Sequence, residues 1–223
     1  MSRTHPFADH WNHNSHYYPR IAELLNGYRV VLDVGCGEGS LARYLATGDT
    51  DPVDRRRAEL KTPQPEPESF EDRELNHEVV GIDADSKVLA PDAPGVHFML
   101  ADAQQLPFPD ASFDAVVSVG VLHHLNEDLG LVEMRRVVRP GGRIVAMDTA
   151  RSGFPLGPLE IRDAMANAVM GIGKTRWTPD TLSTEPDLNW TQSRELIEGN
   201  LPGAHWWRVP LGRWVAVWDA PKR

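Results

Sequence analysis

The stretch Val30-Val31-Leu32-Asp33-Val34-Gly35-Cys36-Gly37-Glu38-Gly39-Ser40-Leu41 decides the fold. Val30 to Val34 is an apolar, β-branched run too short for a helix, and it reads as a buried parallel strand. Gly35, Gly37 and Gly39 break the run; lacking a Cβ, they permit a tight turn and bring backbone N–H groups close to a ligand. Leu41, Tyr44 and Leu45 follow at i, i+3 and i+4, the spacing of an amphipathic helix. Strand, glycine loop and helix in this order make a ligand-binding unit.

A glycine loop at a strand-helix junction is also the dinucleotide signature, G-x-G-x-x-G with an acid about 20 residues further on. Here the spacing is G-x-G-x-G, Ser40 stands where the last glycine belongs, and the next strand-end acid, Asp83, lies much further along. A dinucleotide-dependent oxidoreductase is therefore disfavoured but stays open. Leu32 to Gly39 instead closely resembles motif I of the class I S-adenosylmethionine-dependent methyltransferases, in the small-molecule branch similar to the ubiquinone and menaquinone biosynthesis enzymes. The resemblance implies that Gly35, Cys36, Gly37 and Gly39 wrap the amino-acid end of the cofactor and that Asp33 helps to organise it. A pyrophosphate favours a bare helix N-terminus, whereas a zwitterion tolerates acids such as Asp33 and Glu38 nearby.

The composition suits a soluble globular protein of one domain: 223 residues, 41% hydrophobic and 25% charged. No apolar run approaches the roughly 20 residues of a membrane span, and the opening Met1-Ser2-Arg3-Thr4-His5-Pro6 lacks a signal peptide's apolar core. Cys36 is the single cysteine, which excludes an internal disulfide and fits a reducing, cytoplasmic compartment; it reads as a small packing residue. A net charge of -9 argues against nucleic acid as partner and leaves a small molecule as the expected substrate. The sequence is silent on oligomeric state.

Along the chain, His5, His10, His13 and His16 interleave with Phe7, Trp11, Tyr17 and Tyr18. As a helix ended by Pro19, this segment would put His13, His16 and Tyr17 on one face. No carboxylate or thiolate joins the histidines to complete a metal site, and no metal is expected. Residues 1–27 read either as a half-buried aromatic helix or as a lid over cofactor and substrate, and Trp11 to Tyr18 resembles the N-terminal segment of a group of small bacterial methyltransferases. Residues 49–76 carry acids, Arg55-Arg56-Arg57 and four prolines, and are expected to be a mobile surface insertion that departs from the family pattern.

Glu78 to Asp83 is a second strand ending in an acid. Its carboxylate can accept two hydrogen bonds from a ribose diol; the alternative role is an N-cap for a helix beginning at Ala84. After a third strand, Val96 to Leu100, the resemblance makes Asp102 the acceptor for the adenine amino group and Ala103 the backbone donor to a ring nitrogen; otherwise Asp102 is a surface turn acid. It also places Ala84, Val119 and Gly120 among the cofactor contacts. Phe113 to Leu125 is a fourth strand running into a loop whose start faces the transferable methyl in that family. His123 and His124 thus join His13, His16 and Tyr17 as candidate general bases, with a structural role as the alternative.

Leu131, Met134 and Val138 form a helical stripe stopped by Arg139-Pro140-Gly141-Gly142, and Arg143 to Asp148 is a fifth strand. Residues 150–200 read as a substrate cap, with Leu159, Ala166, Val169 and Met170 lining one helix, Glu195 to Ile197 in another, and Trp177 and Trp190 as packing or recognition aromatics. His205 to Pro210 and Arg213 to Trp218 flank Leu211-Gly212 as a hairpin. The fold expected is α/β: a Rossmann-like, seven-stranded, mostly parallel sheet with an antiparallel last strand and helices on both faces. The activity implied is methyl transfer from S-adenosylmethionine to an oxygen or nitrogen of a small molecule, releasing S-adenosylhomocysteine. A non-catalytic cofactor-binding or regulatory protein of the same fold is the alternative.

Overall fold

A computed structural model of the chain describes residues 5–9, 11–50, 77–153, 157–178 and 185–222. The expectation of a mobile insertion falls almost wholly on 51–76, outside the described residues.

Seven strands, β1 (Val30–Val34), β2 (Glu78–Asp83), β3 (Val96–Leu100), β4 (Phe113–Val119), β5 (Val138–Thr149), β6 (His205–Val209) and β7 (Arg213–Asp219), form one sheet in the order β3-β2-β1-β4-β5-β7-β6. β1 to β5 are mutually parallel, and β7 runs antiparallel to both of its neighbours. The expected mostly parallel seven-stranded sheet is thus present. Its chain order reverses between β1 and β4, the point at which open α/β sheets bind ligands beyond their carboxyl ends.

Period-two alternation builds two cores. Leu32, Val116, Ile144 and Ala146 face Leu131, Met134 and Ile197 on one side, from α3 (Glu127–Val137) and α5 (Trp190–Asn200). Val31, Ala115, Val117 and Val145 face Ile21, Leu41 and Leu45 on the other, from α1 (Tyr18–Leu24) and α2 (Ser40–Thr47). Leu41, Tyr44 and Leu45 are all buried, each contributing about 1.5–3 kcal/mol. Asp114, also buried, pins the start of β1 by accepting from the backbone N–H groups of Arg29 and Val30 at 2.9 and 3.0 Å, and it pairs with Arg139. Among the described residues no helix is long and apolar enough to cross a membrane.

Four expectations are corrected. Pro19 lies in the first turn of α1 rather than ending a helix, because a first-turn residue needs no intrahelical N–H donor. His13 sits in a turn, so His13, His16 and Tyr17 share no helical face. The segment after Asp83 forms turns, not a helix, which leaves Asp83 nothing to cap. Arg139 to Gly142 lie inside β5, where the register jumps from Phe113↔Val138 to Ala115↔Arg143 and absorbs the extra residues as a bulge. The cap helix α4 (Pro158–Met170) exists, yet none of its residues is buried. Its Ile161, Met165 and Val169, with Ile172 beyond its end, form an exposed stripe at i, i+4, i+8 and i+11.

Candidate cofactor and active site

The tips of β1, β2, β3 and β4 open into a cleft of about 420 Å³, the size of a small-molecule site. Gly35, Cys36, Gly37, Asp83, Ala84, Asp102, Ala103, Val119 and Gly120 all line it, so nine of the eleven residues expected at the cofactor converge there. The other two, Asp33 and Gly39, stand behind the loop. At Gly39 (φ 75°) an added Cβ would fall 2.2 Å from Cζ of Phe98, and at Gly35 (φ 72°) 2.3 Å from Cγ2 of Val121. Both positions therefore need glycine for backbone angle and for space.

Asp83 organises the loop. Its Oδ2 accepts from the N–H of Gly37 and its Oδ1 from that of Asp85, each at 2.9 Å. Each oxygen keeps a second lone pair for a ligand hydroxyl. Asp102 accepts from the N–H of Gln104 at 2.8 Å and is otherwise exposed toward the cleft. Asp33 is buried, and its Oδ2 has no hydrogen-bond partner. Burial, and then the nearby Asp83 charge, push its pKa up to about 7. Burial likewise raises the Cys36 thiol, so it stays protonated and is no nucleophile. The Asp83 and Asp102 carboxylates, both on the cleft wall, suit hydroxyl and amino donors. The same acids repel a pyrophosphate. The residues present therefore fit S-adenosylmethionine better than a dinucleotide.

Of the five candidate bases, only His124 lines the cleft. Burial, and then His123, hold its pKa below the ordinary value, so the ring is neutral at pH 7. The His123 ring lies against it, tilted by 39° with centroids 3.9 Å apart, and is itself held by Asp148. His13, His16 and Tyr17 are spent elsewhere. His13 bonds Asn167 at 2.9 Å, His16 accepts from the Trp11 indole at 3.3 Å, and the Tyr17 hydroxyl donates to the Pro210 carbonyl at 2.7 Å. The His13 and Tyr17 contacts tie the N-terminal segment to α4 and to the β6–β7 turn, while that of His16 stays within the segment.

The N-terminal segment still reaches the cleft, through Asn12, Asn14 and Tyr18, none of which sequence reasoning singled out as a site residue. Trp177 lines the cleft as well, while Trp190 lies under the Arg208 guanidinium at 3.6 Å. Backbone bonds Trp11 N to Thr175 O (2.8 Å) and Trp177 N to Trp11 O (2.9 Å) join segment and cap into one cover. The only sequence signal was the density of Asn, His and aromatic residues between 11 and 18.

Residues 67–146 match a family described as a methyltransferase domain. That match starts beyond the glycine loop, within the proline-rich stretch 49–76. An uncharacterized methyltransferase of Mycobacterium tuberculosis is 27% identical over 220 residues, covering 95% of this chain and 98% of its own. The ubiquinone/menaquinone biosynthesis C-methyltransferase of Ralstonia pickettii is 35% identical over 141 residues, 60% of this chain and 49% of that one. A S-adenosylmethionine-dependent methyltransferase structure from Methanosarcina mazei shares the fold, with a TM-score of 0.56 and 18% identity over 92% of this chain and 99% of that one. With the sheet order and the glycine loop, these matches identify the activity as S-adenosylmethionine-dependent methyl transfer, carried on a fold of the class I methyltransferase type. Its cofactor is S-adenosylmethionine and its product S-adenosylhomocysteine.

Proposed function

We propose that the enzyme methylates an oxygen or nitrogen of a small molecule, with His124 as the general base. The observation that carries this reading is the position of His124: a neutral imidazole on the cleft wall beside Gly120 and Val121, at the end of β4. When bound, the cofactor supplies a methyl group already activated by its sulfonium. The chain's own task is to align the acceptor, exclude water and accept a proton. In this reading Asp102 and Ala103 hold the adenine, Asp83 the ribose diol, and the glycine loop with Asp33 the amino-acid end. Running from β3 through β2 to β1, that order brings the amino-acid end to the switch point between β1 and β4, with the acceptor beyond it on the side of His124. The described parts of the lid 1–27 and of the cap 150–200 then cover the site, with Trp177 as an apolar wall.

A base is needed where the nucleophile is a hydroxyl or an ammonium. The Ralstonia relative is named as a C-methyltransferase, so the acceptor atom is the point at issue. The test is S-adenosylhomocysteine release with a panel of phenols, alcohols, amines and activated-carbon acceptors, for the wild type and for His124→Gln. Turnover of a hydroxyl or amine substrate, with kcat falling about 10²–10⁴-fold in the variant, is the expected result. Turnover of carbon acceptors alone, or a fully active His124→Gln, overturns the assignment.

A further inference from the structure

The geometry points to Asn14, oriented by Arg213, as the receptor for the carboxylate of the cofactor's amino-acid end. This rests on the cofactor arrangement proposed above. Among the described residues no lysine or arginine lines the cleft. A ligand carboxylate entering it meets neutral donors only, and it is repelled by the acids Glu38, Asp83 and Asp85 on the loop side. The opposite corner, at the tip of β4, has the complementary character. There Nε of Arg213 donates to Oδ1 of Asn14 at 3.1 Å.

A guanidinium has no acceptor, so the Asn14 atom facing it is the oxygen, and the amide nitrogen turns the other way. That nitrogen lies over Gly120, 2.8 Å from where a Cβ would stand. Gly120 thus leaves room for the amide, and the next residue, Val121, fills the space above Gly35. Asn14 thus sits against Gly120 at the tip of β4, one residue from the Val121 side chain that packs at Gly35. The amide brings two N–H donors, and the partly buried Arg213 behind it brings positive charge into the corner without exposing it. A second tie, from Nη1 of Arg213 to the Gly212 carbonyl at 3.4 Å, holds the guanidinium on the β6–β7 turn. Asn12 serves differently: its Oδ1 accepts from the N–H groups of Asn14 and Ser15, both at 2.8 Å, and so shapes the turn that presents Asn14.

The test uses the full chain and two nucleosides, S-adenosylhomocysteine and 5′-methylthioadenosine, which lacks the amino-acid moiety, with binding read by calorimetry. Asn14→Asp replaces the donors by a carboxylate that still pairs with Arg213. We expect it to weaken S-adenosylhomocysteine binding about ten- to a hundredfold and to leave methylthioadenosine within about twofold. Arg213→Gln weakens S-adenosylhomocysteine selectively as well, and Arg213→Lys restores much of the loss, an outcome that a purely structural role for Arg213 does not produce. Equal losses for both nucleosides, or undiminished S-adenosylhomocysteine binding in Asn14→Asp, overturn the inference. Wild-type protein that bound neither nucleoside would overturn the cofactor arrangement beneath it instead.

Discussion

Nδ1 of His123 lies 2.6 Å from Oδ1 of Asp148, and the backbone N–H of His123 donates to Oδ2 of the same carboxylate at 3.1 Å. Asp148 is 1% exposed at the end of β5 and also accepts from its neighbour's N–H, that of Thr149, at 2.6 Å. One carboxylate therefore fixes the tautomer of His123, the course of the loop after β4 and, through the tilted ring contact, the setting of His124.

Asp148→Ala should destabilise the fold by about 3 kcal/mol, because each buried donor it leaves without a partner costs about 1–3 kcal/mol. Urea unfolding with an unchanged m-value would measure this. A stability equal to that of the wild type would show that water replaces the carboxylate at no cost.

Asp83→Ala should lower affinity for S-adenosylhomocysteine by tenfold or more, through loss of a charged acceptor worth about 1.5–3 kcal/mol. From sequence alone, this substitution is expected to spare the fold. The structure adds a cost: the N–H groups of Gly37 and Asp85 lose their acceptor, so stability should fall by about 1–2 kcal/mol as well. Titration calorimetry and denaturant melts on the same preparations separate the two effects, and unchanged affinity would refute the ribose assignment.

Gly39→Ala forces a Cβ against the Phe98 ring at a left-handed backbone position that caps α2. Overpacking and backbone strain together should cost about 2–4 kcal/mol. The companion variant Gly39→Ala/Phe98→Leu should regain part of the loss by freeing space. Failure of the second change to help would assign the whole cost to the backbone angle.

Two groups give the stability curve opposite slopes. Asp33, with its pKa raised to about 7, holds a proton in the folded chain that the unfolded chain releases. Its contribution is complete below about pH 4 and is lost as the pH rises to about 7. His16, lowered to about 4 by burial and then by the His5 charge, resists a proton that the unfolded chain takes up. Its contribution is complete above about pH 6.5 and is lost as the pH falls to about 4. The stability of Asp33→Asn relative to the wild type should therefore climb from pH 4 to 7, and that of His16→Gln from pH 6.5 down to 4. Parallel melts across this range check both, and a pH-independent difference in either case would contradict the corresponding shift.

Much of the frame was legible before any tertiary information. β1, β2 and β3 occupy the predicted residues: β1 and β2 are apolar runs ended by glycine or acid, a local pattern, and β3 is a short apolar run at the sheet edge with Met99 and Leu100 exposed. The helix from Ser40 shows the same directness, with Leu41, Tyr44 and Leu45 buried as their spacing requires. The bulge at Arg139 to Gly142 was misread as a plain turn, since proline and glycine mark a break in the chain without saying whether it leaves the sheet.

What the sequence determined by itself is therefore the part written in nearest neighbours: the strands, the glycine loop, and the acids at the strand tips that follow from where each strand stops. What only the tertiary structure decided is which distant side chains share the cleft. Asn14 and Arg213 are 199 residues apart, His123 and Asp148 25 apart, yet each pair is hydrogen-bonded. His13, His16 and Tyr17 are candidate bases in the sequence, but in the fold they bond to Asn167, Trp11 and Pro210 and do not line the cleft. The physical reason is that backbone pattern is a local property, whereas the partner a polar side chain finds depends on how separate segments dock.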